Sequence, residues 1–306
     1  MQTPTPDSVY PSLEHLVQLR ALARGFRLRP HMPLHNILLG QHAARMRGRG
    51  LDFEELRHYR PGDDVRYMDW KVTRRLGKPH IRVYNEERER PTILALDLRV
   101  SMFFGSRKSM KSVVAAEAAA LLGWYSLSVG DRVGAVLATD PDIRHFVPRR
   151  STAHVNFILA NICEQARQLE VGTPPDAGRL NQMLTRLQHL ARHDAQVCVI
   201  SDFHGADTET AALLQAIARH NDLLLVFVFD PLELHLPQEA RLPVTDGRVQ
   251  ISVDGRSSAL REKYEAAFNS RLQRARDLLL GWGVPVLALS TERPAAQQLR
   301  AILRQR

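Results

Sequence analysis

The stretch Thr92-Ile93-Leu94-Ala95-Leu96-Asp97 constrains this chain more than any other. A largely apolar run leads directly into an aspartate. A short, continuous apolar run bounded by breakers is the pattern of a strand covered on both faces. Pro91 just before it suits a strand entry, since proline is tolerated at the first residue of a strand. Asp97 is thereby placed at the carboxyl end of a central parallel strand. In open α/β sheets that edge is where ligands bind. Arg99, Ser101 and the turn Phe104-Gly105-Ser106 come next, and a long helical pattern follows.

The rest of the chain repeats this alternation. A helix is predicted over about 108–129, with Val114, Ala118, Leu121, Leu122 and Tyr125 on one face and Gly130-Asp131 as its stop. Strands are predicted over 132–138 and 143–147, joined by the turn Asp140-Pro141-Asp142. Ser151 caps a helix carrying Val155, Ile158, Leu159, Ile162, Cys163 and Ala166 at a 3.6-residue period. Leu180, Met183, Leu184, Leu187 and Leu190 mark another helix. Apolar strands follow over 196–201, 223–229 and 284–289. An excursion over 234–255 holds a possible hairpin, and helices are predicted over 258–282 and 295–304. Strands alternating with helices of this length imply a doubly wound, mostly parallel sheet. Asp97 and Asp202 then end two strands at the same edge.

Residues 1–90 read as an N-terminal basic extension packed on a sheet domain of residues 91–306. Residues 20–90 hold 17 Lys/Arg against 9 Asp/Glu, a surplus of +8, whereas residues 91–306 hold 25 against 22, a surplus of +3. A helix is predicted over 12–25, an irregular segment with the basic patch Arg45-Met46-Arg47-Gly48-Arg49-Gly50 over 26–50, and a strand over 79–85. Asp52, Glu54, Glu55, Asp63, Asp64 and Asp69 are interspersed with arginines, which predicts local ion pairs. A basic surplus of this kind serves nucleic acid, an anionic surface or an acidic protein. No aromatic interleaving or nucleic-acid motif accompanies the arginines, so nucleic acid is not expected as a partner. No apolar run approaches the ~20 residues of a membrane span. The segment from Met1 to Pro11 lacks the apolar stretch of a signal peptide. Cys163 and Cys198 fall in a helix pattern and a strand pattern and form no metal-spaced set, as buried thiols in a reducing compartment would. A cytoplasmic location is the expectation.

Enzyme signatures are missing. No phosphate-binding glycine loop follows a strand and no Gly-x-Ser-x-Gly elbow exists. His31 and His35 are separated by Pro33, which argues against a helical metal pair. His189 and His193 sit one helical turn apart at a predicted helix end, where a cation favours the dipole.

Several long motifs, in order, resemble the bacterial family catalogued as domain of unknown function 58. They are Gly48-Arg49-Gly50-Leu51-Asp52-Phe53-Glu54-Glu55-Leu56-Arg57, Tyr59-Arg60-Pro61-Gly62-Asp63-Asp64, Asp69-Trp70, Glu86-Glu87-Arg88-Glu89-Arg90-Pro91, Gly130-Asp131-Arg132-Val133-Gly134, Ile200-Ser201-Asp202-Phe203 and Asp230-Pro231-Leu232-Glu233. The resemblance implies a von Willebrand factor A fold with an N-terminal extension. It also implies association with AAA+ ATPases of the MoxR type, as an adaptor toward an unknown client protein, without catalytic activity. Alternatives are a metal-dependent adhesion module that binds an acidic partner group, or nucleic-acid binding through residues 20–90.

Domains of that fold often hold Mg²⁺ through an Asp-x-Ser-x-Ser loop, a threonine and a third-loop aspartate. The resemblance assigns Asp97, Ser101 and Asp202 as metal ligands, and Asp97, Arg99, Ser101 and Asp202 as the partner-binding set. Arg99 replaces the first serine. The threonine position falls near Gly178-Arg179, which carry no hydroxyl, with Thr173 as a substitute. Two of the five ligands are thus missing from a cation that wants a full oxygen set. The expectation is a degenerate site. In one reading Arg99 bridges Asp97 and Asp202 and presents positive charge to a partner carboxylate, with Arg107 and Lys108 adding to the field. In the blander reading the two aspartates are structural, bonded to loop amides or to Arg99.

Overall fold

The computed structural model describes residues 6–24, 55–59, 68, 70–83, 90–176, 178–234, 241–245, 250–254, 256–263, 265–266 and 284–304. The chain divides into two compact units, one of Met1–Met46 with Arg90–Arg306, the other of Arg47–Glu89. The larger unit opens with a helical turn, α1 (Pro6–Val9), and helix α2 (Leu13–Ala23). The smaller unit pairs β1 (Glu55–His58) antiparallel with β2 (His80–Val83), with α3 (Trp70–Leu76) between them in sequence. The larger unit then runs β3 (Pro91–Asp97), α4 (Lys111–Ser128), β4 (Arg132–Ala138), β5 (Ile143–Arg149), α5 (Thr152–Ala166), α6 (Arg179–Leu190), β6 (Gln196–Ser201), α7 (Thr208–Ala218), β7 (Asp222–Phe229) and the turn α8 (Pro231–Leu234). A hairpin of β8 (Arg241–Thr245) and β9 (Gln250–Asp254), then β10 (Val286–Ser290) and α9 (Ala295–Arg304), complete it.

The main sheet has the order β10-β7-β6-β3-β4-β5. Five strands are parallel and β5 runs antiparallel at the edge beside β4. This is the doubly wound, mostly parallel sheet that the alternation of strands and helices implies. β3 lies between β4 and β6, and its residues alternate between two cores. Leu94 and Leu96 face a cluster built with α2, α4, α5 and α9. Ile93 and Ala95 face a cluster built with α6 and α7. Burial on both faces explains why β3 reads as an unbroken apolar run rather than an alternating one. α4 lies against the sheet over small residues, Ala115 to Ala120 around Glu117. A Cβ at Gly123 would meet Leu94 Cδ1 at 3.3 Å, so a larger residue there would require the Leu94 side chain to give by a few tenths of an ångström. Among the described residues, no helix is long and apolar enough to cross a membrane.

One boundary between the compact units falls at Glu89/Arg90, next to the predicted division, but Met1–Met46 belongs to the same unit as the sheet. Leu16, Leu19 and Ala23 of α2 are buried in the same cluster as the sheet. Trp124 of α4 donates its indole N–H to the Leu16 carbonyl at 3.0 Å, and Arg20 lies over its ring at 5.4 Å. Charge composition could not reveal this, because α2 is joined to the sheet by its apolar face. His193 also departs from expectation. α6 ends at Leu190, and His193 packs edge-on against His220 beyond it. The predicted helix over 258–282 begins at 258, and most of its remainder lies outside the described residues. The same holds for His31, His35, the basic patch at 45–50 and the side chains of Asp52, Glu54, Glu55, Asp63, Asp64 and Asp69.

Candidate functional site at the carboxyl edge of the sheet

Parallel strands deliver their carboxyl ends to one edge. Asp97 pairs across from Ala138, Ser201 from Phe227, and Ser290 from Phe229. The residues that follow these strands, Asp140, Asp202, Asp230 and Thr291, therefore line the same edge as Asp97. All five side chains are buried. Buried carboxylates persist only where donors surround them, and each of these has its own set.

Asp97 is held by Arg99. The guanidinium makes a paired contact, Nε to Oδ1 at 2.9 Å and Nη2 to Oδ2 at 2.8 Å, while the Arg99 amide donates to Oδ1 at 3.0 Å. The Ser201 hydroxyl donates to Oδ2 at 2.6 Å. Arg99 also donates to the His204 carbonyl at 3.0 Å, which ties the loop after β3 to the loop after β6. The backbone permits this because Arg99 is extended (φ −73°, ψ 165°) before the 3₁₀ turn Val100–Met102, so its side chain folds back over the strand end.

Asp202 is held by Lys111, the first residue of α4. Lys111 Nζ lies 2.8 Å from Asp202 Oδ2 and 3.0 Å from Glu233 Oε1. The Ser101 hydroxyl and the His204 amide donate to Asp202 Oδ1 at 3.3 and 2.9 Å. Phe203 adopts a left-handed φ of 51°, which an L-residue tolerates only when its surroundings enforce it. Here its ring is buried and stacks on Phe227, and its amide donates to Ser201 Oγ at 2.8 Å. Lys111 is aimed by the tight turn before α4. A Cβ on Gly105 would overlap the Ser109 carbonyl and Met110 Cα, so only glycine fits there.

Asp140 and Asp230 brace the periphery. Asp140 accepts from the amides of Val100 (2.6 Å) and Asp176 (2.9 Å). Asp230 accepts from the Ser106 amide and hydroxyl (2.8 and 2.5 Å), the Leu232 amide (2.8 Å) and the Thr291 hydroxyl (2.5 Å). Glu233 returns to accept from the Asp230 amide at 2.9 Å. The loops after β3, β4, β6, β7 and β10 are thereby linked into one polar network.

Ionisation follows from these contacts. Burial alone would push the Asp202 carboxyl up, but the Lys111 charge and hydrogen bond, the His204 amide and Arg99 hold it well below the usual carboxylate range. Burial would likewise push Lys111 down, yet Asp202 and Glu233 more than offset it and leave the ammonium raised. Arg99 is raised too: desolvation opposes its charge, but Asp97, with Asp202 and Asp140, more than offsets it. The edge therefore carries fixed ions of both signs.

The four residues singled out from the sequence, Asp97, Arg99, Ser101 and Asp202, do come together. Arg99 does not bridge the two aspartates, however. It forms its paired contact with Asp97 alone, and Lys111 takes Asp202. Arg99 is 4% exposed, so it presents no charge to solvent. Thr173 bonds within its own turn, donating to the Glu170 carbonyl at 2.9 Å. Lys111 and Glu233 were not assigned a role from the sequence. The signal was available in Lys111, a lysine opening the unbroken apolar face of α4, and in Glu233, within the Asp230-Pro231-Leu232-Glu233 motif.

The residues present do not fit Mg²⁺. A hard cation needs free carboxylate oxygens, and Asp97 and Asp202 each carry a protein cation at bonding distance on Oδ2 and further donors on Oδ1. Among the described residues, no group of three or more His, Cys, Asp or Glu is arranged to hold a metal ion.

Comparison with known proteins adds a family likeness. Residues 55–274 match the family described as Protein of unknown function DUF58. Proteins of Mycobacterium tuberculosis and Mycobacterium bovis, each described as uncharacterized, are 30% identical over 280 residues, covering 90% of this chain and 86% of theirs. The conserved hypothetical protein BatB of Bacteroides thetaiotaomicron aligns with a TM-score of 0.40 at 12% identity, covering 71% of this chain and 100% of that one. A von Willebrand factor type A structure from Catenulispora acidiphila aligns with a TM-score of 0.37 at 12% identity, covering 70% of this chain and 42% of that one.

Proposed function

The chain belongs to the family described as Protein of unknown function DUF58, and from that premise we propose that it is a non-enzymatic, protein-binding adaptor that couples a MoxR-type AAA+ ATPase to a client protein. The observation that carries this reading is a locked floor framed by an exposed rim. The floor acids Asp97, Asp140, Asp202 and Asp230 are each engaged by at least two protein donors. A general base needs an oxygen turned toward a substrate proton, and these oxygens are turned inward. The rim is different. Phe104 is 36% exposed, and Arg107, Lys108, His204 and Gly205 are exposed around it. Aromatic and arginine side chains are the usual anchors of protein interfaces. Lys108 lies adjacent, as does Arg107, which pairs with Glu292 at 3.0 Å, and the rim suits an acidic, partly apolar protein surface.

The test is direct binding. The full chain is immobilised and a purified MoxR-type ATPase is passed over it with ATP, with ADP and without nucleotide. Binding in at least one nucleotide state is expected. Phe104→Ala combined with Lys108→Glu should weaken it by about tenfold or more. An ATPase that fails to bind in every nucleotide state contradicts the proposal.

A further inference from the structure

The smaller unit carries a short helix with an uncovered outer side. α3 is fastened to β2 through Thr73, whose Oγ1 accepts from the His80 amide at 3.0 Å. The Thr73 carbonyl accepts from the Gly77 amide at 2.9 Å, and Gly77 ends the helix with a left-handed φ of 67°. At about 100° per residue, the side opposite Thr73 is occupied by Lys71, Arg74 and Arg75, with Trp70 and Leu76 flanking them. No residue of α3 is buried. Trp70 is 69% exposed and Leu76 57%, and Arg74, Arg75 and Lys78 are exposed beside them. Residues 70–80 hold four Lys/Arg and no Asp or Glu, so the charge of this side has one sign. Large apolar side chains left this open beside such charge mark a contact surface.

We propose that this side of α3 docks onto an anionic lipid surface: Arg74, Arg75 and Lys78 meet lipid phosphates, while Trp70 and Leu76 enter at headgroup level. Basic side chains are attracted by the negative potential of such a surface over about a Debye length. An indole suits the headgroup layer, where its ring is shielded and its N–H stays wet. Trp70 and Leu76 lie about 9 Å apart along the helix axis, so both reach one surface with the cations between them. Leu76 decides between polyanions. A nucleic acid engages cations and an aromatic platform but offers an exposed leucine little apolar surface, whereas an acyl boundary offers it burial. Two helical turns hold too little apolar area to bind alone, so charge drives the association and the apolar pair anchors it. Phe104 and Lys108 belong to the other compact unit, which makes this inference independent of the adaptor proposal.

The experiment sediments the full chain with vesicles of phosphatidylcholine alone and of phosphatidylcholine mixed with phosphatidylglycerol. Binding to the mixed vesicles only is expected, and it should weaken as salt rises. Arg74→Gln combined with Arg75→Gln should weaken it by about tenfold or more. If that variant does not fold, Lys78→Gln, which lies outside the helix, decides the matter and should weaken binding by about fivefold. A second readout is quenching of tryptophan fluorescence by a brominated lipid. Quenching should occur in the wild type and be lost in Trp70→Phe, since Trp124 is buried out of reach. A chain that ignores the mixed vesicles, a folded charge variant that binds them as the wild type does, or quenching that persists in Trp70→Phe overturns the proposal. So does tighter binding to a single-stranded oligonucleotide that the same variants abolish, which assigns this side of α3 to nucleic acid.

Discussion

Lys111 Nζ sits 2.8 Å from Asp202 Oδ2, with the two side chains 2% and 1% exposed. A pair this deeply buried is costly to break from one side, because the remaining charge has neither water nor partner. Lys111→Met should therefore cost about 3–5 kcal/mol of unfolding free energy, read by urea denaturation. Adding Asp202→Asn should cost less than the sum of the two single changes, since each single change strands the other's charge. Strict additivity would mean that the pair is not coupled.

The same contacts set a pH dependence. The folded carboxyl of Asp202 lies below its unfolded value of about 3.9, so its contribution is full above that value and is lost as pH falls through the folded one. Lys111 is raised above its unfolded value of about 10.4, so its contribution is full below that value and is lost as pH rises through the folded one. The pair should be silent near neutrality and should fail in strong acid or strong alkali. Below pH ~4 the unfolded chain binds the extra proton, so Asp202→Asn should reduce the acid-limb slope by up to ~1.4 kcal/mol per pH unit. An unchanged slope would contradict the depressed carboxyl.

Helix α2 should behave as part of the sheet unit. Leu16 is fully buried and lies under Trp124. Leu16→Ala should cost about 2–5 kcal/mol, and limited proteolysis should leave 13–23 protected together with the sheet. Cleavage that releases α2 without loss of the sheet would show that it is only an appendage.

What was legible in the sequence was whatever periodicity and length encode. β3, β4, β6 and β7 are apolar runs bounded by breakers, so their parallel stacking and the shared edge of Asp97 and Asp202 could be read directly. Ser151 was likewise visible as a cap, and it accepts from the His154 amide. What was not legible depends on side-chain direction. Arg99 was placed in the right loop, but whether it reached one aspartate or two hung on a backbone torsion. Lys111 was hidden because lysines are almost never fully buried unless paired, and the loops that supply its partners come from 91 and 122 residues further along the chain. The place of α2 was obscured because basic charge dominates its surroundings in sequence.

The two thiols should be inert in the native state. Burial pushes Cys198 up to about 12 and Cys163 up to about 11, and both are free and buried. The thiolate is the reactive form. A disulfide reagent at pH 8 should therefore label neither until the chain unfolds, then both. Rapid labelling of one thiol in the native chain would contradict its burial.

The claim at the centre of this account is that the strand edge is held by the protein's own cations. Nitrogen-15 NMR of lysine side chains reads this directly, with Lys111→Arg identifying the resonance. Lys111 Nζ should appear as a slowly exchanging ammonium that stays protonated while the exposed lysines titrate near pH ~10.4. A Lys111 resonance that exchanges like a surface lysine, or loses its proton before the others do, would contradict the account.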